Sequence, residues 1–285
     1  MKAGIYDSLS ADDYHAMKDA PPMLSASIAT LLCNETPLHA WTAHPRLNPN
    51  YVSEEKAIYD IGHLAHSMVL EGGTGKVKVF EFDSWRTKVS QEARDAARDA
   101  GFIPMLQQDF AEVEAMVKRT HVQLDAHKEA ADAFQRGKPE VTVIWQEDGV
   151  WCKARLDWLH DSHQKIDDYK TVVSANPDAI ARKILNEGMD IQEAMYRRGV
   201  YVLAGLDPQF RFVCQDKAEP YALSVIGLNP QWQWHGEQRW RRALALWREC
   251  LTSNRWPGYP VRIAYPIMPA WIENMELTKE TADAV

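Results

Sequence analysis

The chain has few cysteines, no long apolar run and a shortage of positive charge, and each lack removes a class of protein. Cys33, Cys152, Cys214 and Cys250 lie far apart, with no CxxC pair among them. A zinc finger or an iron–sulfur cluster needs closely spaced thiolates, so the four read as reduced, mostly buried side chains. No apolar stretch approaches the ~20 residues that a membrane span requires. The opening segment MKAGIYDSLSADDYHAMKDA lacks the apolar core and small-residue cleavage site of a secretory signal. The expectation is a cytoplasmic protein with no membrane partner. Lys and Arg total 32 against 40 Asp and Glu, a net charge of −8. That argues against nonspecific nucleic-acid binding through many phosphate contacts. A DNA-processing chain of this charge must gather its cations in one channel and put some of its acids to use in a metal site.

What is present is enough apolar material for a large core: 46% of 285 residues, which suits one large α/β or α+β domain. Ser10 and the following acids read as an N-capped helix, and LSASIATLLCN as a second. Apolar residues at 57/58, 61, 64/65 and 68/69 give residues 53–72 the period of an amphipathic helix, which Gly72 and Gly73 can end. Residues 87–137 are Ala-rich and polar, broken at GFIP and near His127, and predict two or three helices. The period then changes. PEVTVIWQ, GVWCKARLDWLH and QKIDDYKTVV predict three antiparallel strands, and NPDAIARKIL and DIQEAMYRRGVYVLAG two helices. QFRFVCQD and YALSVIGLN predict two more strands, and GEQRWRRALALWREC a last helix. This divides one domain, 1–285, into a mostly helical part (1–135), a sheet core (136–230) and a C-terminal helix with tail (231–285).

In KIDDYKT a strand period of two sets Asp168 and Lys170 on one face and Tyr169 on the other. Asp167 then faces away. Asp157, eleven residues before Asp168 and across a tight turn, can point the same way. Two carboxylates about a side chain apart make a hard oxygen site for Mg²⁺ or Mn²⁺, and a neighbouring lysine can position and help deprotonate an attacking water. That combination suits phosphodiester hydrolysis. A bare Asp…Asp-x-Lys is weak, and also fits a hairpin with a charged solvent face.

The surrounding text is more specific. The order helix, three strands, helix, strand resembles the PD-(D/E)xK nuclease core. DDYHAM, LSASIATLL before TPLHAW, IGHLAHSMVLEG, GKPEVTVIWQEDGVWCKARLDWL, IDDYKT, DIQEAMYRRGVY, EPYALSVIGLN and RWPGYP resemble RecE-type (exonuclease VIII-like) phage and prophage exodeoxyribonucleases, in that family's order and over nearly the whole chain. The resemblance implies that His66 is a metal ligand, with His63 as the fallback. On ~100° per residue, His66 borders the apolar stripe and His63 lies nearly opposite it. It further implies Asp157 and Asp168 as metal-binding acids, Lys170 as catalytic lysine, and the backbone carbonyl of Tyr169 as a metal ligand. The family usually carries an aliphatic residue where Tyr169 stands.

The helix after the motif resembles the family's Q…Y element, placing Gln192 and Tyr196 on one face. Gln192 would orient the lysine or the water, and Tyr196 would contact the DNA backbone. Lys153 and Arg155 alternate onto the face of Asp157 and could hold a phosphate, or pair with Glu140 or Asp157. Ser25 and Ser27 read as a helix cap that could also accept a terminal phosphate. Arg239, Arg241, Arg242 and Arg248, with Trp240 and Trp247 among them, read as an exposed face or subunit contact before a DNA-binding patch.

The activity implied is processive 5′-to-3′ degradation of one strand of linear double-stranded DNA, by a homo-oligomeric ring that works with a single-strand annealing protein in phage recombination. The alternatives are an endonuclease or CRISPR-adaptation nuclease of the same fold, the latter disfavoured by the scattered cysteines, and a catalytically silent binding module, disfavoured by the intact Asp157, Asp168, Lys170 and Gln192.

Overall fold

The computed structural model describes residues 2–17, 20–52 and 61–268. Its centre grows from one turn. Asp148 and Gly149 take φ of 50° and 78°, the left-handed pair that a two-residue hairpin turn requires. They join β4 (Gly137–Glu147) to β5 (Val150–His160) in register Glu147↔Val150 through Gly137↔His160. A second turn brings β6 (Lys165–Val172) back antiparallel to β5, completing the expected meander. The chain then crosses one face through α7 (Pro177–Asn186) and α8 (Met189–Ala204) to lay β7 (Gln209–Asp216) parallel to β6. Edge strands β1 (Gly4–Tyr6) and β8 (Leu223–Ile226) complete a six-stranded sheet of order β1-β4-β5-β6-β7-β8.

Helices cover both faces, each held by its own core. On one side α2 (Ala26–Asn34), α3 (Pro37–Ala43), α8 and α9 (Pro230–Ser253) enclose Trp145, Leu156, Ile166, Phe212 and Trp247. On the other, α4 (Ile61–Glu71) and α6 (Gln107–Asp125) pack Leu64, Met116, Tyr169 and Val213. The short α1 (Ala11–Ala16) starts at Ser10, whose Oγ accepts from Asp13 N at 3.0 Å, as its sequence predicted.

Several elements depart from expectation. Residues 87–137 hold two helices, α5 (Lys88–Asp99) and α6, within the expected two or three and broken at GFIP as expected; unforeseen is that GFIP opens a strand, β3 (Ile103–Leu106), parallel to β2 (Val77–Phe80) in a small separate sheet. Strands of four residues show too little periodicity to read. The first helix assigned to residues 53–72 is described only from Ile61 on, and 53–60 lie outside the described residues. The last helix begins at Pro230, ahead of Gly236: Asn229 caps it by accepting from Trp232 N at 3.0 Å, and proline suits the first turn. Gly236 is interior because a Cβ there would meet Asp190 O at 2.2 Å.

Candidate active site

The site is the place where β6 leaves β5. The two strands pair only at Trp158↔Asp167 and Leu159↔Ile166, whereas β6 stays on β7 through Val172. The fork opens between Asp157 and Asp168. Asp157 partly fills it, its Oδ2 accepting from Tyr169 N at 2.9 Å. A strand residue turns its N–H and C=O toward the same neighbour, so the carbonyl of Tyr169 also faces the fork. Its ring lies in the opposite core, as alternation predicted.

Across β5, the hairpin register sets Glu140 opposite Asp157, between the pairs Pro139↔Trp158 and Val141↔Leu156. Glu140 has φ of 54° inside a strand, a strained conformation of the kind that surrounding structure enforces at functional sites. From the other face α4 reaches in with His66, whose Nε2 lies 2.9 Å from Asp157 Oδ2 and Nδ1 3.7 Å from Glu140 Oε1. Ligand atoms of His66, Glu140 and Asp157 all fall within 4.8 Å of one another. Glu140 is the member of this trio that the sequence reading did not offer as a candidate ligand. Counting back from the Asp148–Gly149 turn gives its register opposite Asp157, and that signal would have found it.

Beside this trio stands a second group. Gln192 Nε2 donates to Asp168 Oδ2 at 2.5 Å, and Lys170 Nζ lies 2.6 Å from Oδ1. That ammonium is the charged partner of the buried Asp168 Oδ1. A buried carboxylate is costly without partners, and Gln192 and Lys170 supply one for each oxygen.

The charges are strongly coupled. Burial disfavours the His66 imidazolium, but the hydrogen bond to Asp157 and the charges of Asp157, Glu140 and Asp168 outweigh it and raise the pKa to about 9. Burial works against ionised Asp157 too, yet the His66 bond, Lys170 and the Tyr169 N–H hold its pKa below the usual range. Asp168 goes the other way, raised to about 6 by burial and by Asp157. Glu140 is also raised, by burial and then Asp157. Lys170 resists its burial because Asp168 and Asp157 raise its pKa above the ordinary value.

A family match covers residues 34–267 and describes a PDDEXK-like domain of unknown function, DUF3799. The chain belongs to that PDDEXK-like family. Among solved structures it resembles a protein from Eubacterium rectale provisionally named an exonuclease, at 15% identity and TM-score 0.57, over 92% of this chain and 96% of that one. At that identity the likeness shows the fold alone, a mixed α/β one. A second structure, SSO0001, shares 13% identity over 70% of this chain and 96% of its own at TM-score 0.28, too low to argue from. No curated protein matches.

Within this PDDEXK-like domain the remaining candidates divide. Tyr196 lies by Gln192, Asp168 and Asp157 and packs on Phe210 at 6.1 Å between ring centroids; burial keeps its hydroxyl firmly protonated. Lys153 and Arg155 share the side of Asp157, but the expected phosphate clamp has its donors occupied. Lys153 Nζ donates to Tyr14 O at 2.6 Å, while Arg155 pairs with Glu140 and donates to Leu9 O at 2.8 Å. Asp167 faces away, bonded to His160 at 2.7 Å and Arg211 at 2.6 Å. His63 is exposed, outside the trio. Ser25 Oγ caps α2, 3.5 Å from Ile28 N and 3.0 Å from Ser27 Oγ.

The arginines of α9 divide, with Arg241 and Arg248 lining one groove together with Arg197 and Arg198. Arg239 is buried against Asp190 at 2.7 Å, Arg241 pairs with Glu237, and Trp240 and Trp247 are core residues. Among the described residues no helix is long and apolar enough to cross a membrane.

Proposed function

We propose that the protein is a divalent-metal-dependent exodeoxyribonuclease acting on linear double-stranded DNA, with Mg²⁺ as its ion and Mn²⁺ as a substitute. The observation that carries this reading is the convergence of His66, Glu140 and Asp157 within 4.8 Å at the fork, next to the buried Asp168–Lys170 pair. Three carboxylates and one imidazole suit a hard divalent cation. His66, Glu140, Asp157 and Asp168 would hold it, with the carbonyl of Tyr169 facing the same space. When bound, such an ion offsets the charge that builds on the phosphoryl oxygens and acidifies an attacking water.

The protein's own groups do the rest. Lys170, beside Asp168, would hold the attacking water in line with the phosphorus and help deprotonate it. Gln192 fixes one oxygen of Asp168 and Lys170 the other. With Asp157 and Asp168 neutralised by a bound cation, the charges that raise the Lys170 pKa would be gone while its burial remains, so the lysine would release its proton to solvent and, as the free amine, could accept one from the attacking water. Arg155 aims Glu140 at the site. Tyr196 would touch the DNA backbone, and Lys153 and Arg155 would meet a phosphate only on release of the N-terminal segment they now bind.

The resemblance to RecE-type enzymes supports the finer reading: processive 5′-to-3′ degradation, a ring around DNA whose channel alone need be basic, a single-strand annealing partner and a role in phage-type recombination. Incubation with Mg²⁺ and linear duplex labelled at either end, against a circular control, tests it. Loss of 5′ label as mononucleotides, with the circle intact, is the expected result. Digestion of the circle would replace the exonuclease with an endonuclease, and DNA binding without cleavage would indicate a silent relative.

A further inference from the structure

The glycine that lets α9 press on the first turn of α8, Gly236, also gathers a charged group. His235 stands one residue before it and Arg239 three after, and both close on the fully buried carboxylate of Asp190. Arg239 NH1 donates to its two oxygens at 2.7 and 2.9 Å, and His235 Nδ1 lies 2.8 Å from Oδ2. A carboxylate accepts, so Nδ1 carries a hydrogen and Nε2 is the ring nitrogen left for a ligand. Arg239 offsets the charge of Asp190, which frees the imidazole from being its only partner.

A cavity of about 900 Å³ opens on this group, where the ends of α2 and α7 meet the first half of α9. That volume falls in the ~300–1,000 Å³ range of small-molecule sites. His235, Arg239, Arg242, Gln238, Asn186 and Trp234 line it, and among the described residues no Asp or Glu does. The acids nearest in sequence are engaged elsewhere, Glu187 with Lys183 and Glu35 with Tyr259. Arg242 is exposed and meets no acid among the described residues. Carbonyls at a helix C-terminus repel anions, but those of α7 are covered: Leu185 O accepts from Arg239 at 3.3 Å and Asn186 O from Asn34 Nδ2 at 3.1 Å. Trp234, 64% exposed, holds its ring out at the rim. Cations without acids, an indole face beside them and the carboxamides of Gln238 and Asn186 match a phosphate joined to a flat heterocycle.

We infer that this cavity binds a nucleotide, with the phosphate on His235 Nε2 and Arg242 and the base stacked on Trp234. The nucleotide is either a free monophosphate or one unit of a single DNA strand. The inference stands apart from the nuclease reading, because it uses no metal and no residue of the fork.

Calorimetric titration of the full chain in EDTA with thymidine 5′-monophosphate is the test, repeated with inorganic phosphate, thymidine and a single-stranded oligothymidylate. The monophosphate should bind once per chain, more tightly than phosphate or thymidine alone. Cys33 lines the same cavity and the other three cysteines are buried, so the bound nucleotide should also slow its reaction with a maleimide. An oligothymidylate that displaces the monophosphate and shields Cys33 identifies a DNA strand as the source; one that does neither identifies the free nucleotide. Arg242→Gln should weaken monophosphate and phosphate alike by about tenfold, the loss of a charge-assisted hydrogen bond. Trp234→Ala should weaken the monophosphate about fivefold or more and leave phosphate unchanged. Both side chains are exposed, so circular dichroism should match wild type. Arg248→Gln, on the same helix outside the cavity, and Lys170→Ala at the fork should leave the affinity as it was. No binding of monophosphate or oligomer, an unshielded Cys33, or an equal loss in Arg248→Gln or Lys170→Ala would overturn the inference.

Discussion

Metal binding at this site should release a proton from His66, and the size of the effect follows from the geometry. In the metal-free protein the imidazole sits between Asp157 and Glu140 with its pKa raised to about 9, so at pH 7 it is a cation standing where the ion must go. Coordination through Nε2 requires that proton to leave. Two pH units correspond to about 3 kcal/mol, a roughly hundredfold weaker Mn²⁺ affinity at pH 7 than at pH 9. Affinity should rise about tenfold per pH unit across that interval and flatten above it. Below pH 6 the slope should steepen, since Asp168, with its pKa of about 6, must ionise as well. The same linkage acts on stability. A histidine whose folded pKa exceeds its free value of about 6.5 stabilises the metal-free fold fully below pH 6.5, and that contribution is lost as pH rises through about 9. Calorimetric titration with Mn²⁺ in two buffers of different protonation enthalpy counts the protons. About one per ion is expected at pH 7, and His66→Ala should release none between pH 7 and 9. No release from wild type, or an unchanged slope in His66→Ala, would refute the reasoning.

Other substitutions probe the remaining groups. Lys170→Ala should abolish cleavage, by roughly 10²–10⁴-fold or more for loss of a proton-transfer group, with the circular dichroism spectrum unchanged; wild-type turnover would remove the lysine from the chemistry. Asp168→Asn should also stop cleavage yet raise the melting temperature of the metal-free protein at pH 7.5, because a carboxyl with raised pKa destabilises the fold once ionised, and the gain should vanish at pH 4. Glu140→Gln should weaken Mn²⁺ binding at least tenfold by calorimetry while leaving the thermal unfolding of the metal-free protein near wild type. Arg211→Ala leaves the buried charge of Asp167 without its main partner, and urea unfolding should show a loss of about 3–5 kcal/mol.

Where a residue type had a local physical signature, the sequence was readable. Asp168, Lys170 and Tyr169 sort onto faces by strand alternation alone, and the structure places them so. Gln192 and Tyr196 came from the family resemblance, with helical spacing setting them on one face, and both lie by Asp168. What alternation could not show is why Asp157 reaches His66 from a strand whose neighbours face α8: the fork and the strained Glu140 turn that stretch of backbone, and neither is visible in a pattern of apolar residues. Lys153 and Arg155 were placed on the right side, but their partners, the carbonyls of Tyr14 and Leu9, lie more than a hundred residues away. Strands β2 and β3 exist through pairing with each other across α5, a nonlocal event. Arg239 looked like part of a basic face because its partner Asp190 belongs to a different helix.

The account rests on one divalent ion at the fork, and anomalous diffraction from crystals grown with Mn²⁺ addresses it directly. The prediction is a single strong peak within about 2.0–2.3 Å of His66 Nε2 and of carboxylate oxygens from Asp157, Asp168 and Glu140. A peak elsewhere, or none at millimolar Mn²⁺ with His66 still bonded to Asp157, would contradict it.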